Sequence, residues 1–269
     1  MYEIGAADVS SNMLKNLVHE ESTGKDVANY MTCANNGLNV LAVAMGKFTA
    51  IFKINMQTKK LEELQKFETD FSPIDACTNT LRWSSDNGGL AAGGEDKLVR
   101  LYKVAAPNDF KSPLKMVCEL GGGHHEAIND IDISPNKTLL VSSGNDSQAC
   151  VYDLRKKALV KKLTFRDKEY RDARGNTDDS NFTIRGCVFS GSSIFLLASK
   201  VRYKSFIVEF SINPSSTGSI SFVPSSVVYV HDNGGTGLNL SPDGSQFAVT
   251  TNDGFIKIVE KDSSKVVLA

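Results

Sequence analysis

One turn is written three times in this chain: Gly94-Glu95-Asp96, Gly144-Asn145-Asp146 and Asn252-Asp253-Gly254. Each copy separates two short apolar runs, the second of which covers residues 98–104, 149–154 and 255–259. Asp96 and Asp146 are 50 residues apart, and Asp146 and Asp253 are 107 apart, about two further periods. Ser134-Pro135 and Ser241-Pro242 are also 107 apart. Two unrelated landmarks at one spacing define a repeat of roughly 40 to 50 residues, built of short strands and tight turns. That pattern predicts the blades of an all-β propeller. Such a chain is a scaffold first, so its function is to be sought in the loops on its faces.

On this period the first complete unit places strands at residues 28–33, 39–44, 48–54 and 61–67, with Asn36-Gly37 as the hairpin turn between the first two. The second places them at 74–78, 90–92, 98–104 and 114–120, and the third at 128–133, 139–142, 149–154 and 159–163. The fourth, less regular, has 183–189, 194–199, 205–211 and 220–223; the fifth has 237–240, 246–250, 255–259 and 265–268. Pro135-Asn136 and Ser241-Pro242-Asp243-Gly244 supply first turns. Residues 2–7 and 13–19 read as the outer half of a preceding blade. Residues 1–269 are therefore expected to form a single partial propeller of about five and a half blades, whose first blade lacks its inner strands. Closing the ring is what hides strand edges, so an open run of blades is expected to expose them and to aggregate.

Residues 105–113 are expected to be a blade-edge loop. Residues 164–181 are long, charged and rich in Asp, Arg and Asn; they read either as an insertion between blades or as a partner-binding loop.

Gly121-Gly122-Gly123-His124-His125-Glu126 has the glycines of a phosphate cradle but neither a following helix nor a lysine. Adjacent histidines on a strand point to opposite faces and cannot share a metal. Gly123-His124 instead stands where propeller repeats carry Gly-His, and Tyr152-Asp153, 28 residues beyond His124, stands where they carry Trp-Asp. His124 is expected to hold the tight turn that carries Asp146; His19 and His231 occupy the same place in their units. No nucleophile elbow, Walker loop or paired zinc histidines occur, so no catalytic residue and no metal ligand is assigned. Cys33, Cys77, Cys118, Cys150 and Cys187, spaced 32 to 44 residues apart without a C-x-x-C pair, read as small buried hydrophobes.

What remains is a face. The blade-entry loops carry Glu20, Glu21, Asp26, Glu68, Asp70 and Glu126, and these are the candidate partner-binding residues. The tight turns add Glu95, Asp96, Asp146 and Asp253, of which the last three are expected to be consumed by turn hydrogen bonds. Both loop classes gather on one rim of a propeller, giving an acidic edge suited to a basic protein surface. Thirty basic against 31 acidic residues, a net charge of −1, gives no long-range attraction for nucleic acid. The longest apolar runs, such as 38–45 and 194–198, are far short of the roughly 20 residues of a spanning helix, and Met1-Tyr2-Glu3-Ile4 does not begin a signal peptide. The chain alone is expected in the cytosol.

Several phrases depart from ordinary WD repeats, which fits the lack of any Trp-Asp dipeptide. They are Leu90-Ala91-Ala92-Gly93-Gly94-Glu95-Asp96 with Val99-Arg100-Leu101-Tyr102, then His125-Glu126-x-Ile128-x-Asp130-Ile131, and Arg185-Gly186-Cys187-x-Phe189 with the basic turn 200–204. In these the chain resembles the prolactin regulatory element-binding protein family, the endoplasmic-reticulum exchange factors for the Sar small GTPase, which are divergent WD-repeat propellers. The resemblance implies a seven-bladed propeller on the cytosolic face of the endoplasmic reticulum membrane, held by a C-terminal membrane helix. It would promote GDP-for-GTP exchange on Sar and so start COPII coat assembly for transport to the Golgi. The family's activity resides in a potassium-stabilised, glycine-rich loop of blade one; this sequence has no counterpart to that loop, to the final blade or to the membrane helix, so no cofactor is assigned here. A non-catalytic WD-repeat scaffold for protein–protein interaction is the alternative, and a nuclear regulator of transcription a third.

Overall fold

A computed structural model describes residues 28–35, 37–69, 76–167, 181–200, 203–216, 218–263 and 266–268. Every regular element among them is a strand, and the strands form five sheets of four. The first sheet joins β1 (Ala28–Cys33), β2 (Val40–Met45), β3 (Phe48–Asn55) and β4 (Lys60–Glu68). The second joins β5 (Thr78–Trp83), β6 (Gly89–Gly94), β7 (Val99–Lys103) and β8 (Lys115–Leu120). The third joins β9 (Ile128–Ile133), β10 (Leu139–Gly144), β11 (Ala149–Asp153) and β12 (Ala158–Leu163). The fourth joins β13 (Thr183–Ser190), β14 (Ser193–Ser199), β15 (Ser205–Pro214) and β16 (Ile220–His231). The fifth joins β17 (Gly235–Leu240), β18 (Gln246–Thr251), β19 (Ile256–Glu260) and β20 (Val266–Leu268). Within each sheet the strands pair antiparallel in chain order. The first strands of successive sheets neighbour one another in the order β1, β5, β9, β13, β17, so the sheets stand radially as propeller blades.

The sequence of each strand reflects its distance from the axis. Second strands such as β2 (VLAVAM) and β10 (LLVSSG) are buried along their whole length and are apolar or small throughout; β10 has a sheet on either side. Outer strands such as β12 are exposed over much of their length and carry lysines. The core lies between blades rather than within them. Ala42 and Ile51 pack on Leu81 and Trp83, Ala91 and Val99 on Ile131 and Tyr152, Val141 and Val151 on Cys187 and Leu196, and Leu197 on Leu238 and Val249.

The spacing of Ser134 and Ser241 has a physical cause. Each hydroxyl accepts the backbone N–H five residues on, from Leu139 at 2.9 Å and from Gln246 at 2.9 Å. Ser84 does the same for Gly89 at 2.9 Å, without a following proline to signal it. The hydroxyl closes the turn between the first two strands, and the third residue after it is left-handed in each case: Asn87, Lys137 and Gly244, with φ of 56°, 57° and 74°.

Three expectations need correction, and the loop expected at 105–113 is indeed a loop between β7 and β8. The strand placed at 74–78 begins only at Thr78 and runs to Trp83. Its polar Thr78 and Thr80 are buried against polar partners from neighbouring blades, so the apolar residues before it were a false guide. The strand placed at 220–223 continues to His231, because a bulge opposite Glu209 and Phe210 absorbs the irregularity at Pro224 and Ser225 on this outermost strand. The 105–113 loop is packed: Phe110 is buried edge-on against Trp83, and Gln65 of β4 hydrogen-bonds the Phe110 and Ser112 carbonyls. Of the five cysteines only Cys150 and Cys187 are buried; Cys33 is exposed on β1, and Cys77 and Cys118 are half-exposed. The half blade expected over 2–19 lies outside the described residues.

Candidate protein-interaction faces

Blade-entry residues and the tight turns between second and third strands come together on one rim. There Glu95 N–H donates to the Cys77 carbonyl, Asn145 N–H to Ala127 and Asn252 N–H to Gly234. The three turn aspartates are tied down in three ways. In the third blade His124 Nδ1 lies 3.0 Å from Asp146 Oδ1 and Nε2 lies 2.8 Å from Ser142 Oγ, while His125 N–H donates to Asp146 Oδ2 at 2.8 Å. Burial alone would raise the Asp146 carboxyl; the hydrogen bonds from His124 and His125 outweigh it and leave it below the ordinary value. Tyr152 lies fully buried beneath, and its hydroxyl comes so close to Gly123 that a Cβ there would stand 2.1 Å away.

In the fifth blade His231 Nε2 lies 2.8 Å from Asp253 Oδ2, and Thr251 Oγ1 donates to Asp253 Oδ1 at 2.6 Å. The Thr251 bond, then His231, lowers Asp253 to about 2. In the sequence, Ile74 stands 22 residues before Asp96, where the third and fifth blades have histidine, and the cation comes from the third strand instead: Arg100, 2% exposed, grips Asp96 and donates from Nε to Glu119 Oε1 at 2.8 Å. Sequence reasoning placed Asp96, Asp146 and Asp253 in structural turns, and the geometry puts them there; it missed Arg100, whose signal was an arginine four residues after a turn aspartate.

Of the candidate partner-binding residues, Glu126 is exposed on the rim. Glu68 is exposed and pairs with Lys47 at 2.7 Å, and Glu95 accepts the Cys77 N–H at 3.1 Å. Glu20, Glu21, Asp26 and Asp70 lie outside the described residues, as does His19.

A second constellation, unforeseen from the sequence, runs across the blades near the axis. Thr80 Oγ1 donates to Asp130 Oδ1 at 3.3 Å, and Asp130 Oδ2 accepts the Cys187 N–H at 3.2 Å. Two residues along, Arg82 Nε lies 3.4 Å from Asp132 Oδ1, and Asp132 Oδ2 accepts the Phe189 N–H at 2.7 Å. Burial lifts Asp130 to about 6 against the pull of Arg82, and lifts Asp132 also. Asn79 and Asn129, 50 residues apart, donate forward to the Ile128 and Ile184 carbonyls at 3.1 and 3.0 Å. These groups stitch the second, third and fourth blades together. Burial also pushes the Cys150 thiol up to about 12 and raises the Cys187 thiol well above its ordinary value, so both stay protonated. Among the described residues no three His, Cys, Asp or Glu side chains are grouped to hold a metal. No helix among them is long and apolar enough to cross a membrane.

The WD domain, G-beta repeat family matches residues 63–103, from β4 through β7, and 115–153, from β8 through β11. With the five radial sheets, the chain is an all-β propeller that carries WD repeats over these residues. Topless-related protein 4 of Arabidopsis thaliana is 29% identical over 145 residues, covering 54% of this chain and 11% of that protein. Cleavage stimulation factor subunit 50 of the same plant is 25% identical over 224 residues, covering 80% of this chain and 47% of that protein. Histone acetyltransferase type B subunit 2 of Candida glabrata is 38% identical over 79 residues, covering 29% of this chain and 17% of that protein. The chain thus spans between about a tenth and a half of the length of these relatives.

Proposed function

We propose that the chain is a non-catalytic scaffold that holds a protein partner on the rim formed by its entry loops and tight turns. The carrying observation is the internal use of the titratable side chains: Asp96, Asp146 and Asp253 close turns, and Asp130, Asp132 and Arg82 seal blades. What faces solvent on the rim is a set of short loops with exposed Glu68, Glu95 and Glu126, displayed on a rigid frame. Two of the relatives are named as subunits of larger assemblies, which agrees with this reading. Cross-linking of the purified chain in a cell extract, read by mass spectrometry, should map captured proteins to this rim. Reversing charge with Glu68→Lys and Glu126→Lys should weaken capture about tenfold without lowering Tm; cross-links confined to the outer strands would defeat the proposal.

The finer reading, guanine-nucleotide exchange on a Sar-type GTPase at the cytosolic face of the endoplasmic reticulum, rests on the resembling phrases. Of these, Arg185-Gly186-Cys187-x-Phe189 forms β13, and Arg185 reaches the rim, donating to Asn145 Oδ1 at 3.0 Å. Sar loaded with a fluorescent GDP should release it faster on addition of the chain; an unchanged rate would remove this reading and leave the scaffold standing.

A further inference from the structure

The opposite rim, where the turns joining first to second and third to fourth strands lie, has a cavity at each described seam between blades. None of the first three is acidic. The cavity of about 350 Å³ beside Phe110 has Lys53, Lys111 and Asp109 in its wall. The next, of about 340 Å³, has Lys103 with Asp86 and Lys137, which pair at 2.5 Å. The third, of about 440 Å³, has only uncharged residues, among them Leu139, Phe189 and Ile220. The fourth, between blades four and five, differs. Its volume is about 470 Å³, and its wall carries Glu209, Glu260 and Asp262 against the single ammonium of Lys261.

The floor of this fourth cavity is apolar: Ile207 and Val259 are buried there beside Phe195 and Phe247, whose ring centroids stand 4.8 Å apart. The carboxylates keep acceptor capacity. Glu209 takes one bond, from Ser193 Oγ at 2.7 Å, and Glu260 takes one, from Ser263 Oγ at 2.6 Å. Lys261 is turned to Ser190 Oγ at 3.2 Å rather than onto a carboxylate. An ionised carboxylate accepts at up to about four sites, so oxygens of Glu209, Glu260 and Asp262 remain open among the described residues. A long side chain with methylenes along its stem and a cation at its tip matches both parts, the stem on the floor and the tip at the acids. Pockets of roughly 300 to 1,000 Å³ hold such groups.

We infer that the seam between β13–β16 and β17–β20 binds an arginine or lysine side chain carried on an extended segment of a partner protein. Charge selects the occupant: nucleic acid and anionic lipid are repelled here, and the uncharged neighbouring cavity gives no such selection. The inference rests on the scaffold reading only in that its occupant is a protein, and it concerns the other rim.

The test uses the whole 269-residue chain, ¹⁵N-labelled, and a capped pentapeptide with a central arginine between alanines. Amide shifts should concentrate at residues 190–193, 209 and 259–262. The same peptide with citrulline, which keeps the shape and removes the charge, should bind at least about tenfold more weakly. Glu260→Gln and Glu209→Gln should each cause a similar loss. The side-chain carbonyl left by Glu209→Gln can still accept from Ser193, so Tm should hold. Equal binding of the citrulline peptide, shifts centred elsewhere, or no shifts at about 10 mM peptide, far beyond the micromolar-to-millimolar range of weak recognition, would each overturn the inference. Shifts of these amides with protein concentration alone would make a second copy of the chain the occupant and overturn it too. None of these failures touches the cross-linking test of the first rim.

Discussion

At Gly94 a Cβ would stand 2.0 Å from the Cys77 carbonyl oxygen, whereas at Gly121 it would meet only Leu98 Cδ2, at 3.2 Å. Backbone cannot step aside as a leucine methyl can. Gly94→Ala should therefore lower stability by about 3 kcal/mol or more, and Gly121→Ala by about 1 kcal/mol or less, in urea melts. The turn carboxylates set an acid limit. Asp253 is depressed from 3.8 to about 2, so its folded form binds protons less well than its unfolded form. Its contribution is complete above about pH 4 and is lost as pH falls through about 2. Asp130 has the opposite sign. Its carboxyl is raised to about 6, so stability from its protonated form is present below pH 3.8 and is lost as pH rises through about 6. Carboxyl ¹³C NMR should find one group titrating near 6 that vanishes in Asp130→Asn. The Gly-His landmark was legible because the histidine, its aspartate and its spacing recur. Asp130 and Arg82 were not, because aspartates alternating with isoleucines in a strand give no hint of a partner 48 residues away.

At the scale of the strand, hydrophobic pattern located nearly every element but misjudged two, and both misjudgements share a cause. In β5 and β16 the neighbours decide: Thr78 and Thr80 are welcome in the interior because other blades bring hydroxyl and carboxylate partners to them, and Pro224 is tolerated because its strand is outermost. Local composition cannot report a partner that arrives from another repeat. The same dependence makes the seam vulnerable. Arg82→Met would leave Asp130 and Asp132 buried without their cation, and should cost about 3–5 kcal/mol. Hydrogen exchange should then quicken at the Cys187 and Phe189 amides, which those carboxylates accept. Unchanged protection there would show that the aspartates hold β13 without help from Arg82.

For the whole molecule, the period announced radial blades, yet it could not announce which rim would keep free charge, because pairing is settled between repeats. Glu68 is matched by Lys47, while Glu209, Glu260 and Asp262 cluster only once blades four and five meet. The fifth blade also shows solvent its Phe255, Ile256 and Val267, 51%, 56% and 44% exposed. Exposed apolar side chains of this size favour association. Ile256→Thr should reduce concentration-dependent light scattering while shifting stability by no more than about 0.5 kcal/mol.

The joints made by Asn79 and Asn129 have a direction. The second and third blades each extend an amide forward, and the blade that follows each offers a carbonyl back. A segment duplicated with its full period brings both the plug and the socket, so a lineage can lengthen this kind of protein by copying alone. The hardware for attaching a new blade is inherited with the blade itself, and selection is left free to work on the loops.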